Sequence, residues 1–166
     1  MKYIHPIASH SSVPFTPKCW IKSIKGRFEF TSKSIYNFDN IDQFDWNKLC
    51  GISWNPFQPN QNALMLGWRY RPDIKKFEVC PYINYNGRNI PYELPEQILT
   101  FEIRDLGEFF IDKEEISFRN CEQKGKVSIK VPPGVSGHWL TSFRVQPWFG
   151  GNNVAPNQVE LNLSFL

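Results

Sequence analysis

Val159-Glu160-Leu161-Asn162-Leu163-Ser164-Phe165 decides the fold class. Apolar and polar residues alternate over the whole stretch. That is the period of a half-buried β-strand, whose successive side chains point to opposite faces. The same period recurs upstream. Lys126-Val127-Ser128-Ile129-Lys130-Val131 alternates and is closed by Pro132-Pro133-Gly134. Ile116-Ser117-Phe118-Arg119, Glu108-Phe109-Phe110-Ile111 and Ile98-Leu99-Thr100-Phe101-Glu102-Ile103 follow the strand pattern. Residues 75–85 alternate and end at Asn86-Gly87, a hairpin signal because type I′ turns need positive φ.

Residues 63–70 place Leu64, Leu66, Trp68 and Tyr70 on one face and Ala63, Met65, Gly67 and Arg69 on the other. Both faces are apolar enough to be covered. Trp46-Asn47-Lys48-Leu49-Cys50-Gly51-Ile52-Ser53-Trp54, Ser34-Ile35-Tyr36-Asn37-Phe38, Phe28-Glu29-Phe30 and Trp20-Ile21-Lys22-Ser23-Ile24 read as further strands. Residues 139–149 read as one long strand that Pro147 breaks near its end. The count is nine or ten strands, at the spacing of a sandwich or barrel. No window shows the 3.6-residue period of an amphipathic helix, and no fixed-period repeat suggests a solenoid or propeller. The expectation is an all-β protein, an antiparallel β-sandwich with jelly-roll topology. Residues 1–18, punctuated by Pro6, Pro14 and Pro17, read as an extended N-terminal arm, and residues 19–166 as a single domain.

Composition agrees. The chain has 166 residues, 14 Phe, 6 Trp, 6 Tyr and 13 Pro. Aromatics favour strands, whereas prolines are confined to turns and edges. A net charge of +3 is too small to imply a nucleic-acid surface. No apolar run reaches the length of a membrane span, and the start lacks the apolar core of a signal peptide. Cys19, Cys50, Cys80 and Cys121 are scattered with no Cys-x-x-Cys pair, which argues for small buried thiols rather than a zinc site.

Catalytic patterns are sparse. His5, His10 and His138 sit in no nucleophile–base signature. Asp39, Asp42 and Asp45, with Asn40, crowd an acidic loop but lack the alternating ligands and central glycine of a calcium loop. Glu114 and Glu115 are adjacent, so on a strand they point apart and cannot work as an acid/base pair. No phosphate loop or Gly-x-Ser-x-Gly is present, and Gly150-Gly151 reads as a tight corner. No cofactor or metal is expected. Trp68-Arg69-Tyr70-Arg71 has the look of a base-stacking platform, but core aromatics alternating with solvated arginines explain it more simply.

The tryptophan and tyrosine surplus fits sugar stacking as well as packing. Trp46, Trp54, Tyr82, Tyr85, Tyr92 and Trp148 flank loops rich in Asn and Gln and are the candidate ligand-binding residues of a carbohydrate-binding module. The same residues would serve a protein interface.

Three segments carry a resemblance. They are Asn47-Lys48-Leu49-Cys50-Gly51-Ile52-Ser53 followed by Ala63-Leu64-Met65-Leu66-Gly67-Trp68-Arg69; Tyr82-Ile83-Asn84-Tyr85-Asn86-Gly87-Arg88; and Pro147-Trp148-Phe149-Gly150-Gly151-Asn152 with Ala155-Pro156. Their order resembles small, mostly uncharacterised β-sandwich proteins of gut bacteria and their crAss-like phages. The resemblance implies a jelly-roll-like fold and an accessory virion role, in head or tail. It supplies no catalytic residue. Where those proteins have His and Ser before the Gly-Trp-Arg strand, this chain has Gln58-Pro59-Asn60-Gln61-Asn62, so nothing tied to that loop carries over. The expected function is non-enzymatic assembly through contacts with other virion proteins or a second copy, after synthesis in the host cytoplasm. The alternative is binding of a polysaccharide.

Overall fold

The computed structural model describes every residue except Pro56, Pro59, Pro91, Gly151 and Asn152. The second glycine and the asparagine of the Phe149-Gly150-Gly151-Asn152 corner, and Pro59 of the loop before the Gly-Trp-Arg strand, therefore lie outside the described residues.

Among the described residues, twelve strands form two antiparallel sheets of a β-sandwich. They are β1 (Lys2–His5), β2 (Ser23–Phe30), β3 (Asn47–Ser53), β4 (Ala63–Arg71), β5 (Lys76–Tyr85), β6 (Arg88–Ile90), β7 (Leu99–Phe101), β8 (Leu106–Asp112), β9 (Glu115–Asn120), β10 (Lys126–Lys130), β11 (Phe143–Val145) and β12 (Val159–Phe165). One sheet runs β1-β12-β2-β8-β9-β10. The other runs β11-β3-β4-β5-β6, with β7 also paired to β5.

Three sequence expectations need correction. Nine or ten strands become twelve, because the four-residue β1 and the three-residue β6 are too short to show a period. Residues 139–149 are not one strand. Trp139–Thr141 is a 3-10 turn, followed by the short β11. His138 Nδ1 accepts from the Leu140 amide at 3.3 Å, and Ser142 Oγ donates to the Trp139 carbonyl at 2.6 Å. These local side-chain bonds offer the backbone a partner other than a ladder. Residues 34–38 form no strand either. The Thr31 Oγ1 and Ser34 Oγ capping box turns the chain into a 3-10 helix at Ser32–Ser34.

The aromatics gather between the sheets. Trp68 is fully buried and ringed by Phe30 (5.3 Å), Tyr36 (5.7 Å), Phe77 (6.2 Å) and Phe149 (6.4 Å). Phe30 stacks on Phe77 at 4.3 Å. Each such ring removes large apolar area from water, stabilising the fold by roughly 1.5–3 kcal/mol. The second face of β4 is covered too: Ala63 and Met65 pack with Val145, Tyr82 and Phe143. The covering of both β4 faces is therefore as the sequence suggested.

Residues 1–20 lie against the sandwich. β1 pairs with β12. Val13 then bridges back to Ile4, Ser11 bridges Trp148, and Trp148 bridges Lys48 of β3. The backbone thus runs in steps from the β1 edge of one sheet to the β3 strand of the other. Further on, the Trp20 amide donates to the Ser142 carbonyl and the Arg144 amide to the Lys18 carbonyl, both at 2.8 Å. The segment so covers the β11 edge, which would otherwise present unpaired backbone groups.

Candidate functional site

The six aromatic candidates do not share one platform. Trp46 is buried, with the Arg69 guanidinium 4.1 Å from its ring centre. Tyr82 is half-buried beneath the Lys48 ammonium, 4.7 Å from the ring centre. Both rings rest on Gly67: a Cβ there would stand 3.2 Å from Tyr82 and 3.3 Å from Trp46. The Gly-Trp-Arg strand thus uses its glycine for close approach of two rings. Tyr85 sits exposed at the β5–β6 hairpin, and Tyr92 is half-buried against the main core. That leaves Trp54 and Trp148, which line two different depressions.

The first depression is an apolar groove of about 470 Å³ beside β11. Phe15, Pro17, Phe143, Val145, Pro147 and Trp148 line it. Trp148 is 40% exposed, and His10 stacks on it at 5.6 Å. His10 Nδ1 donates to the Phe149 carbonyl at 2.7 Å, which fixes the stacked ring. Lys48 and Arg144 are the ionisable amine and guanidinium in the lining, which includes no carboxylate. Burial lowers the Lys48 pKa, with Asp45 opposing through its charge. Phe15 is 78% exposed on the rim, and Ile7, Val13 and Trp20 of the same segment are exposed as well.

The second depression is a cleft of about 500 Å³ where β2 begins and β8 ends. Trp54, Trp139, Lys22, Asp112, Lys113 and His138 line it. The 3-10 turn that replaces the expected strand sets Trp139 here. Ser142 Oγ holds that turn to the chain before β2: it accepts from the Ile21 amide at 2.6 Å and lies 2.6 Å from the Ile21 carbonyl. Trp54 packs against the backbone at Gly137, where a Cβ would stand 3.0 Å from the indole. Sequence reasoning missed Trp139 and Lys22 as site residues, because Trp139 was read within a strand ladder. The His138-x-x-Thr141-Ser142 spacing is the signal that could have marked the turn.

One carboxylate of the acidic loop is tied to a distant segment. Asp42 Oδ2 accepts from Asn153 at 2.6 Å and its amide is bonded by Asn40. Glu115 accepts from Ser128 and Glu114 pairs with Lys113, so the two neighbours point to different partners. Among the described residues no group of three His, Cys, Asp or Glu side chains could hold a metal. Cys50 and Cys80 are buried free thiols whose pKa burial pushes up, whereas Cys19 is exposed and Cys121 half-buried.

No protein-family model matches this chain, and no curated protein matches it. Two solved structures are similar. The enzymatically active domain of bacteriophage CBA120 tailspike protein 2 aligns with 92% of this chain at 9% identity and a TM-score of 0.43. The full-length tailspike protein 2 of an Escherichia coli O157:H7 bacteriophage aligns with 87% at 10% identity and a TM-score of 0.38. The chain spans 23% and 20% of those two chains. No functional assignment follows from a likeness of this size. Among the described residues, no helix is long and apolar enough to cross a membrane.

Proposed function

We propose that this protein is a non-enzymatic assembly component of a phage particle and works through protein–protein contacts. The observation that carries the contact reading is the groove beside β11, with exposed Phe15 on its rim and Trp148 in its wall. Aromatic side chains in a concave apolar patch are the usual anchors of interfaces. Lys48 and Arg144 without a lining carboxylate favour an apolar partner segment that carries acidic groups. The phage setting rests on the segment resemblance set out above, and the jelly-roll description and a head or tail location belong to the same proposal.

The test is peptide mass spectrometry on density-purified particles, paired with binding by a Phe15→Ser variant. Recovery at fixed stoichiometry to the major shell protein, lost with Phe15→Ser, is the expected result. Absence of the protein from particles overturns the reading.

One observation favours a second reading, a carbohydrate-binding module. The cleft brings Trp54 and Trp139 together with polar side chains, in the size range of small-ligand pockets.

A further inference from the structure

We infer that the Trp54–Trp139 cleft binds an acidic saccharide, a sugar ring bearing a carboxylate. The inference rests on the second, carbohydrate-binding reading and adds to it a substrate class and a residue set.

The cleft combines three features that such a ligand needs. The first is a pair of aromatic surfaces at one depression. Trp139 is 41% exposed and Trp54 half-buried. Flat indoles offer apolar area to the C–H face of a pyranose and lose little entropy when they do so.

The second is uncommitted positive charge. The Lys22 ammonium lies 5.0 Å from the centre of the Trp139 ring. It forms no ion pair among the described residues, whereas Lys113 has Glu114 at 3.6 Å. A cation held beside a ring by its quadrupole is oriented before any ligand arrives. It can then give a charge-assisted hydrogen bond to a carboxylate lying against the same ring.

The third is a hydrogen-bond acceptor for hydroxyls. Asp112 Oδ1 accepts the Glu114 and Glu115 amides, each at 2.8 Å, which fixes the carboxylate and leaves Oδ2 unused. A carboxylate oxygen accepts hydrogen bonds from sugar hydroxyls, which an anion without hydroxyls does not offer. Lys22 and Asp112 thus ask for a ligand with both a carboxylate and hydroxyls.

The walls are fixed rather than loose. The His138 and Ser142 bonds hold the turn that carries Trp139, and Ser142 ties it to Ile21, beside Lys22. Preorganised walls reduce the ordering cost of binding.

The experiment titrates the whole protein with a galacturonate oligosaccharide and follows tryptophan fluorescence and calorimetric heat. A galactose oligosaccharide of equal length and poly-aspartate serve as comparators. Expected is saturable binding of the galacturonate oligomer, about tenfold tighter than the galactose oligomer. Lys22→Gln removes that preference, an effect of about tenfold for one charge-assisted bond. Trp139→Ala lowers affinity for both sugars. Lys22 and Trp139 are exposed, and far-UV circular dichroism checks that both variants fold. Equal affinity for acidic and neutral oligomers overturns the acidic assignment while leaving a carbohydrate module standing. Binding of neither sugar overturns both. Equal binding of poly-aspartate, or galacturonate binding unchanged by either substitution, overturns the inference as well.

Discussion

Ile4 and Val13 face each other across a tight return of the chain and exchange both backbone hydrogen bonds, each 2.8 Å long. This pair is one step in the run of bridges from β1 through Ser11 and Trp148 to Lys48. Its amides are therefore expected to exchange with solvent as slowly as those of β12. Native-state hydrogen exchange checks this, and loop-like rates at Ile4 and Val13 would refute the closure. Ser12 Oγ, buried and donating to the Pro147 carbonyl at 2.7 Å, gives a second handle. Ser12→Ala is expected to cost about 1 kcal/mol in a denaturant titration.

His5 lies in the same seam. It is fully buried, packs edge-on to Phe149 at 5.9 Å, and neither ring nitrogen has a partner in hydrogen-bonding geometry. Burial lowers its pKa from 6.5 to about 4, opposed by the backbone at His10 and Ser11. Between those values the unfolded chain binds more protons than the folded one. Stability is intact above pH 6.5, falls as pH drops through the window, and about 3 kcal/mol is lost by pH 4. Denaturant midpoints of the protein and of His5→Phe, compared across this range, measure it. Equal slopes for the two would sink the prediction.

Gly107 and Gly87 are expected to respond differently to alanine. Gly107 of β8 leaves its side-chain volume to the Phe28 ring, and a Cβ there would fall 2.2 Å from Phe28 Cζ. The ring must move within a filled core, at a cost of about 3 kcal/mol. Gly87 has φ +74° and open space around it. Gly87→Ala carries backbone strain alone, about 1 kcal/mol. Thermal unfolding of the two variants should rank them in that order.

Glu78 is flanked by two guanidinium groups, Arg69 Nε at 2.7 Å and Arg71 Nη1 at 3.0 Å. Glu78 and Arg69 are both largely withdrawn from water. Glu78→Ala leaves Arg69 without a counter-ion beside the Trp46 ring, a loss of about 3 kcal/mol. Removing both partners, as Glu78→Met with Arg69→Met, should recover much of that. A double mutant as unstable as the two single losses added together would show that the pair is not coupled.

Sheet content was legible because the alternation in β8, β9, β10 and β12 follows from one buried and one less buried face. The burial of Trp68 and Tyr70 agrees with reading the aromatics of residues 68–71 as core. The strand count fell short where strands are too short to show a period, as in β1 and β6. Residues 139–149 misled because a ladder and a capped turn are equally compatible with alternating residues. Only the hydrogen bonds of His138 and Ser142 decide between them. The candidate site was legible in residue type and not in grouping. Trp54 lines the cleft and Trp148 the groove, while Trp46 and Tyr82 roof Gly67. Which ring meets which depends on pairings such as Glu29 with Asn162, 133 residues apart, that no local pattern records.

That pairing has a kinetic side. β12 is an inner strand of its sheet, held between β1 and β2, so two strands from the beginning of the chain wait for one near its end. Chain entropy must be spent on that long loop before the pairing returns anything, which slows folding toward the millisecond-to-second range of β-sandwiches. Until β12 docks, β1 and the β12-facing side of β2 are bare edges. A growing chain on the ribosome therefore carries two sticky strand edges from the time β2 emerges until β12 does, and over that interval they must be kept apart from other chains.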